Sequence, residues 1–243
     1  MRGTRMNPLL RDSVAHVFVD DLAAPQLNDN DRHHLGRVLR VREGEGITAS
    51  DGRGGWRACE WHDGDLRIAG DILSTPAPPS RVGVAFVPVK GDRNDWAVQK
   101  LTEIGVDDIV LLAPTRRSVV RWSNAEKQLE KLRAVAREAA MQSRRTWLPS
   151  VAGPLSLADA LVTPGAAVAD PTGTALSAVA AHATDPAQTA APSLIIIGPE
   201  GGFDADEIPP TAARVSLGDT ILRAETATLV AATLLVARRA VGK

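Results

Sequence analysis

The stretch LIIIGPEGGFDADE, residues 194–207, runs four aliphatic residues straight into Gly198-Pro199-Glu200-Gly201-Gly202, with Asp204, Asp206 and Glu207 close behind. A short unbroken aliphatic run closed by a glycine turn reads as a strand buried on both faces that empties into a loop. Such turns usually bring backbone amides to a phosphate at the start of the next helix. Here Glu200 sits inside the turn, three more acids follow and no Lys does, so a phosphate would be repelled. The pattern is neither a P-loop nor a dinucleotide fingerprint, and a lone glycine turn is equally a tight strand-to-helix connection.

A second turn gives the first one company. LGDTILRAETA, residues 217–227, places Leu217-Gly218 after another short β-prone run, and the two turns lie side by side if their strands are neighbours. Backbone groups of both, with Leu217, Ile221 and Leu222 around them, suit a flat apolar ring such as adenine.

Working outward, residues 82–243 alternate strand and helix patterns: strands at 82–87, 108–112, 166–169, 194–197 and 214–217, helices at 95–104, from about 124, and at 175–183, 204–212 and 224–239. Gly105 closes the first helix, and Ser123 with Glu126 has capping-box spacing for the second. This is an α/β domain on a mostly parallel sheet, whose ligands belong at the carboxyl ends of strands. Both glycine turns and the 114–118 stretch fall there.

Residues 75–81 contain three prolines in four positions and form a linker. Before it, residues 1–74 alternate short β-prone pieces (14–19, 46–49, 56–61, 66–72) with Gly and Asp turns, a small barrel or sandwich with one helix near 31–39.

The chain has 243 residues and a net charge of −1, which excludes a generally cationic nucleic-acid binder. Charge is nonetheless local. Arg32, Arg37, Arg40 and Arg42 follow one another without an acid, and residues 115–145 hold nine Lys or Arg against Glu126, Glu130 and Glu138. No run reaches the roughly 18–20 apolar residues of a membrane span. The single cysteine, Cys59, permits no internal disulfide, and the histidines lack metal-ligand spacing, so we expect a cytoplasmic protein without a metal.

Arg116, Arg117, Arg121, Arg144 and Arg145 read either as a solvated face or, for Arg116 and Arg117 just past a strand end, as groups facing the ligand crevice. Arg32, His33, His34, Arg37 and Arg40 read as the outer face of a helix that buries Leu35, Val38 and Leu39, and suit a phosphate backbone. With 3% aromatic residues and no Tyr, base stacking on an open aromatic sheet is not expected.

Five segments in order, HHLGRVLRVREGE, VQKLTEIGVDDIVLLAPTRRS, EAAMQSRRTWLP, IIIGPEGGFDADE and LGDTILRAETA, make the chain resemble the RsmE-type 16S ribosomal RNA methyltransferases of the SPOUT superfamily. The chain departs from that pattern at His16, Asp219 and Ala224. The resemblance implies a PUA-like β-barrel over residues 1–74 and a SPOUT α/β domain over 82–243, with a deep trefoil knot within about 194–227. It implies a homodimer that uses S-adenosyl-L-methionine to methylate N3 of a uridine in 16S rRNA of the small ribosomal subunit. The adenosyl group would then lie on Gly198, Pro199, Glu200, Gly201, Gly202, Leu217, Gly218, Ile221, Leu222, Arg223 and Thr226. An adenosyl group held by backbone contacts, with no phosphate, explains the missing phosphate-binding Lys.

N3 of uridine must shed a proton to act as nucleophile, so a guanidinium aimed at the uracil oxygens is the expected stabiliser. Arg117 is the first candidate, with Arg223 and Arg145 as helpers. Glu200 either accepts the N3 proton or serves the turn structurally. Gly201 is expected to carry the close approach to the ligand, and the uncharged face of residues 226–237, with Leu234 and Leu235, to form the dimer contact. The alternatives are a related methyltransferase acting on another RNA, and a ribosome assembly factor without turnover.

Overall fold

The computed structural model describes residues 6–178 and 192–241. These fall into two compact units, one built on Met1–Pro78 with Arg137–Leu148, the other on Pro79–Ala136 with Pro149–Lys243.

The first unit carries α1 (Pro8–Asp12) and a four-stranded sheet in the order β1 (Ala15–Phe18), β2 (Gly46–Ser50), β3 (Gly55–His62) and β4 (Asp65–Ser74). β1 and β2 pair in parallel and the others antiparallel, so the small β-fold read from the sequence is a mixed sheet. Val17, Leu35, Ile47, Ala49 and Trp61 form its core. α2 (Asp29–His33) starts where the Asn28 side chain accepts from the Asp31 amide at 2.8 Å. From His34 to Leu39 it widens into a π-helical turn that ends at Arg40, in left-handed conformation. Of the expected apolar trio only Leu35 is buried; Val38 and Leu39 stay exposed, because the chain leaves the helix at Arg40 directly after them.

The segment Arg137–Leu148 is held in this unit by side chains that the sequence pattern does not pair. Arg137 donates to buried Asp31 at 2.6 and 3.0 Å and to the Phe18 carbonyl. His16 is sealed inside, its Nε2 donating to the Arg145 carbonyl at 3.0 Å and its Nδ1 2.8 Å from the Thr48 hydroxyl. The carbonyl can only accept, so Nε2 carries the proton and Nδ1 receives one from Thr48. Burial pulls the His16 pKa down to about 4, against the favourable bond to Arg145.

The second unit is a six-stranded sheet of parallel pairs in the order β10-β8-β9-β5-β6-β7, where β5 is Gly83–Phe86, β6 Asp108–Leu112, β7 Ser150–Leu155, β8 Ala166–Ala175, β9 Leu194–Ile197 and β10 Arg214–Ser216. Every residue of β5 and β9 is buried, as continuous apolar runs require when helices cover both faces. α3 (Arg93–Ile104) buries Ala97, Val98 and Leu101 and stops at Gly105, whose left-handed backbone returns its N–H to Leu101 and Thr102. α4 (Ala125–Gln142) is capped by Asn124, whose Oδ1 accepts from the Lys127 amide at 3.0 Å. Ser123 is therefore not the cap, and Glu126 pairs with Arg133 two turns along the same face instead of closing a capping box.

Two expectations are corrected. Residues 204–212 form turns in place of a helix: Pro209 and Pro210 supply no amide donors, and Glu207 folds back on the Asp204 amide. β8 extends through Ala175, where a helix was expected to start, and residues 179–183 of that helix lie outside the described residues. α6 (Ala224–Val241) packs on α3 and over β5 and β9; Leu235 is buried and Leu234 rests on the core, while Thr226, Thr233 and Ala237 of its uncharged stretch are exposed. β7 and the short α5 (Leu157–Leu161) lay outside the sequence reading. No helix among the described residues is long and apolar enough to cross a membrane.

Candidate functional site

At the carboxyl edge of the second sheet lies a cavity of about 1170 Å³, walled by residues 197–200 and 202–205, by 216–218 and 220–224, and by the bend of β8 at Asp170 and Pro171. The two glycine turns thus meet, although their strands do not. β8 stands between β9 and β10, correcting the expectation of neighbouring strands. β8 contributes by bulging. Its register on β10 jumps between Val168 and Thr174, which throws Asp170-Pro171 toward the cavity. Gly173 makes this possible, since a Cβ there would lie 2.5 Å from the backbone of Arg214.

The first turn is closed by the Gly202 amide on the Pro199 carbonyl at 2.8 Å, with Gly202 at φ 72°. Gly198 leaves space for the Phe203 ring, whose atoms would sit 3.0 Å from an added Cβ. At Gly201 an added Cβ would meet only the Arg117 stem, at 3.4 Å, and neither Gly201 nor Thr226 lines the cavity. The second turn is braced by the Ser216 hydroxyl, which donates to the Gly218 carbonyl and accepts from its amide, with Gly218 at φ 150°.

The acids that made a phosphate implausible each have a partner. Glu200 accepts from Arg93 at 2.9 Å, Asp204 from Arg117 Nε at 2.6 Å, and Asp206 from Arg116 at 2.6 and 2.7 Å. Glu207 accepts from the amides of Asp204 and Arg116. Asp204, Asp206 and Glu207 clasp the 198–207 loop to the 113–118 loop, and Glu200 ties it to the start of α3. Asp170 is likewise held by Arg214 at 2.6 Å and by Thr172. The hydrogen bonds from the Thr172 side chain and amide, with Arg214, hold its carboxyl below the usual carboxylate range despite some burial.

Four arginines line this cavity: Arg93, Arg117, Arg214 and Arg223. The first three are ion-paired, to Glu200 and Glu225, Asp204, and Asp170. Exposed Arg223 has no ion pair among the described residues. The cavity therefore offers one uncommitted guanidinium above a wall that includes Ile197, Phe203, Leu217, Leu222 and Ala227.

The residues read as RNA-docking divide. His33, His34, Arg37, Arg40 and Arg121 are exposed. Arg32 is tied to Asp29, Asp65 and two carbonyls. Arg116 is spent on Asp206. Arg144 is half-buried with its guanidinium on the carbonyls of Met141, Ser13 and Val14, and burial lowers its pKa. Arg145 is partly buried and contributes its carbonyl to His16. Arg93, Asp170 and Arg214 are site residues that the sequence reading missed. Glu43, His62 and Asp63 converge at the surface, with His62 Nδ1 3.2 Å from Glu43 and Nε2 3.4 Å from Asp63, but all three are exposed, which does not make a metal site.

A family model described as an RNA methyltransferase domain matches residues 76–236, and one described as an RNA methyltransferase PUA domain matches 27–60. The chain is similar to the ribosomal RNA small subunit methyltransferase E of Mycobacterium bovis, with 34% identity over 239 residues covering 90% of each chain. Among solved structures it is similar to a ribosomal RNA small subunit methyltransferase E from Neisseria gonorrhoeae bound to S-adenosyl methionine, at 26% identity and TM-score 0.71, covering 90% of this chain and 94% of that one. It is also similar to a probable rRNA-methyltransferase from Porphyromonas gingivalis, at 26% identity and TM-score 0.72, covering 94% and 100%.

Proposed function

The chain belongs to the ribosomal RNA small subunit methyltransferase E family, and from that premise we propose that it methylates N3 of a uridine in 16S rRNA using S-adenosylmethionine. The observation that carries this reading is the cavity itself, in which two braced glycine turns meet and one guanidinium, Arg223, has no ion pair among the described residues. Its volume of about 1170 Å³ is ample for a nucleoside-sized ligand. Gly198, Gly202 and Gly218 leave room where side chains would intrude or strain the turns. The apolar wall suits adenine, and Pro199, Glu200, Leu217, Ile221 and Leu222 complete the cradle.

When bound, the cofactor supplies an electrophilic methyl group. The chain's own residues prepare the other reactant. Arg223, which forms no ion pair among the described residues, stabilises the negative charge on the uracil oxygens as N3 loses its proton. Glu200, half-exposed at the cavity lip with one oxygen on Arg93, serves the turn structurally, and the N3 proton passes to solvent. Arg117 supports the turn more than the chemistry, since its guanidinium bonds to Asp204 and to the Gly201 carbonyl, both in the turn segment itself.

RNA docking through His33, His34, Arg37, Arg40 and Arg121 belongs to the same reading, supported by their exposure. A homodimer, a cytoplasmic location and a trefoil knot within about 194–227 rest on the family resemblance. Mapping modified nucleosides in small-subunit rRNA from cells with and without the gene tests the function. Loss of one 3-methyluridine is expected; an unchanged uridine profile with a different missing methyl group would refute it.

A further inference from the structure

Arg93 opens α3 at the end of a loop that is unusually well fixed. Buried Asn94 accepts from the Val89 amide at 2.9 Å and donates to its carbonyl at 2.8 Å, which locks the backbone beside Arg93. The Arg93 Nε donates to the Lys90 carbonyl at 3.1 Å, fixing the side-chain stem as well. From that anchor Nη1 reaches two carboxylates in two different segments: Glu200 in the first glycine turn at 2.9 Å, and Glu225 at the end of the second at 3.2 Å.

The two acids are not equivalent. Glu200 is half-exposed, whereas the Glu225 side chain is only 14% exposed and its Oε2 is buried with no hydrogen-bond partner among the described residues. Burial by itself would raise the Glu225 pKa; its own backbone amide, then Arg93 and Arg223, outweigh burial and keep it ionised. A buried carboxylate with one orphaned oxygen depends on its cation, and removing the cation leaves an uncompensated charge that the helix start must move to solvate. The link is thus directional: Glu225 and the Asn94-locked loop hold Arg93, and Arg93 holds Glu200.

We propose that Arg93 is a positioning residue that staples the two glycine turns into one preformed cradle, so that its contribution is to cofactor affinity and not to the chemical step. This rests on the functional reading above, in that the cradle's ligand is taken to be S-adenosylmethionine. Arg93 touches no reacting group; it acts through Glu200 and Glu225.

The test combines binding, hydrogen exchange and kinetics. Calorimetric titration with S-adenosylmethionine is expected to show roughly tenfold weaker binding for Arg93→Ala, with partial recovery in Arg93→Lys, which keeps charge but not the fork. Arg93→Ala/Glu200→Ala is expected to bind no worse than Arg93→Ala alone. In the ligand-free protein, amide exchange in residues 198–202 and 217–225 is expected to rise together in Arg93→Ala. KM for the cofactor rises while kcat at saturating cofactor changes little. If Arg93→Ala folds poorly, Glu200→Ala tests the same staple by affinity and exchange. Wild-type affinity in folded Arg93→Ala, with only a lower Tm, overturns the staple and leaves the functional reading standing. A wild-type protein that does not bind S-adenosylmethionine overturns both.

Discussion

Arg117 Nε lies 2.6 Å from Asp204 Oδ1 while its Nη1 donates to the Gly201 carbonyl at 2.8 Å. One side chain therefore holds both ends of the Gly201–Asp204 segment. The sequence placed Arg117 at a strand end beside the glycine turn and read it as the stabiliser of substrate charge. In the structure the charge is already answered by Asp204, and a guanidinium paired with a carboxylate at this distance has less to offer a developing anion.

Arg117→Ala is accordingly expected to weaken S-adenosylmethionine binding as well as turnover, because it frees the turn that walls the cavity. The effect on affinity should be several-fold, in the range of about 1 kcal/mol for loss of hydrogen bonds at an exposed charged pair. Calorimetry checks it. Unchanged affinity with a large loss in single-turnover rate would return Arg117 to the chemistry.

The glycines of the first turn should separate by what each position lacks. Gly202→Ala forces a side chain to φ 72° in otherwise open space, so it is expected to cost about 1 kcal/mol, read as a Tm lower by about 2–4 °C. Gly198→Ala drives a methyl into the Phe203 ring at 3.0 Å, and since both residues line the cavity, ligand affinity should fall too. Gly201→Ala meets the Arg117 stem at 3.4 Å, ordinary contact, and should be near neutral in both measurements. A Gly201 variant more damaging than the Gly198 one would restore the sequence-based expectation.

The sequence signalled what local pattern can signal. β9 and β6 read directly from apolar runs, and both glycine turns read as loop chemistry. β7 escaped because SVAGPL carries Gly and Pro inside the strand, which argue against one. The missing 204–212 helix was legible in Pro209-Pro210 and was overridden by helical periodicity. Partners distant in sequence were not legible at all. Arg93 meets Glu200 and Glu225 across more than a hundred positions, and Arg32 and Arg144 resemble RNA-docking groups until their guanidinium groups are seen on carbonyls and acids. An arginine's type announces a charge; only topology says whether that charge is already paired.

His16 gives the first unit a pH dependence with a definite sign. Its folded pKa of about 4 lies below the usual histidine value of 6.5, so between these limits the unfolded chain binds the proton and the native one does not. Stability from this group is fully present above about pH 6.5, falls as pH drops toward 4, and does not fall further below that. Between pH 7 and pH 5 the loss should be about 2 kcal/mol. Urea midpoints at the two pH values check it in wild type and in His16→Gln, which has no titrating ring. An equally steep loss in His16→Gln would assign the dependence to other groups.

Arg223 should behave unlike the other cavity arginines. Arg93, Arg117 and Arg214 are each engaged by carboxylates, so their removal disturbs walls, whereas Arg223 is exposed with no ion pair among the described residues and its loss disturbs no clasp. If its guanidinium answers charge that develops on uracil, Arg223→Ala is expected to cost on the order of 2–4 kcal/mol in the barrier, roughly 30- to 1000-fold in single-turnover rate at saturating RNA. Cofactor affinity and Tm should stay close to wild type. A contact to RNA phosphate makes the opposite forecast: weaker RNA binding, a salt dependence shallower by about one ion, and a normal rate once RNA saturates. Arg223→Lys sharpens the distinction, because lysine replaces a phosphate contact well and a planar, two-point contact to uracil oxygens poorly. Single-turnover rates and RNA affinities across a salt series, measured on both variants, decide between the roles. A lysine variant with full saturated rate would move Arg223 out of the reaction and onto the docking surface.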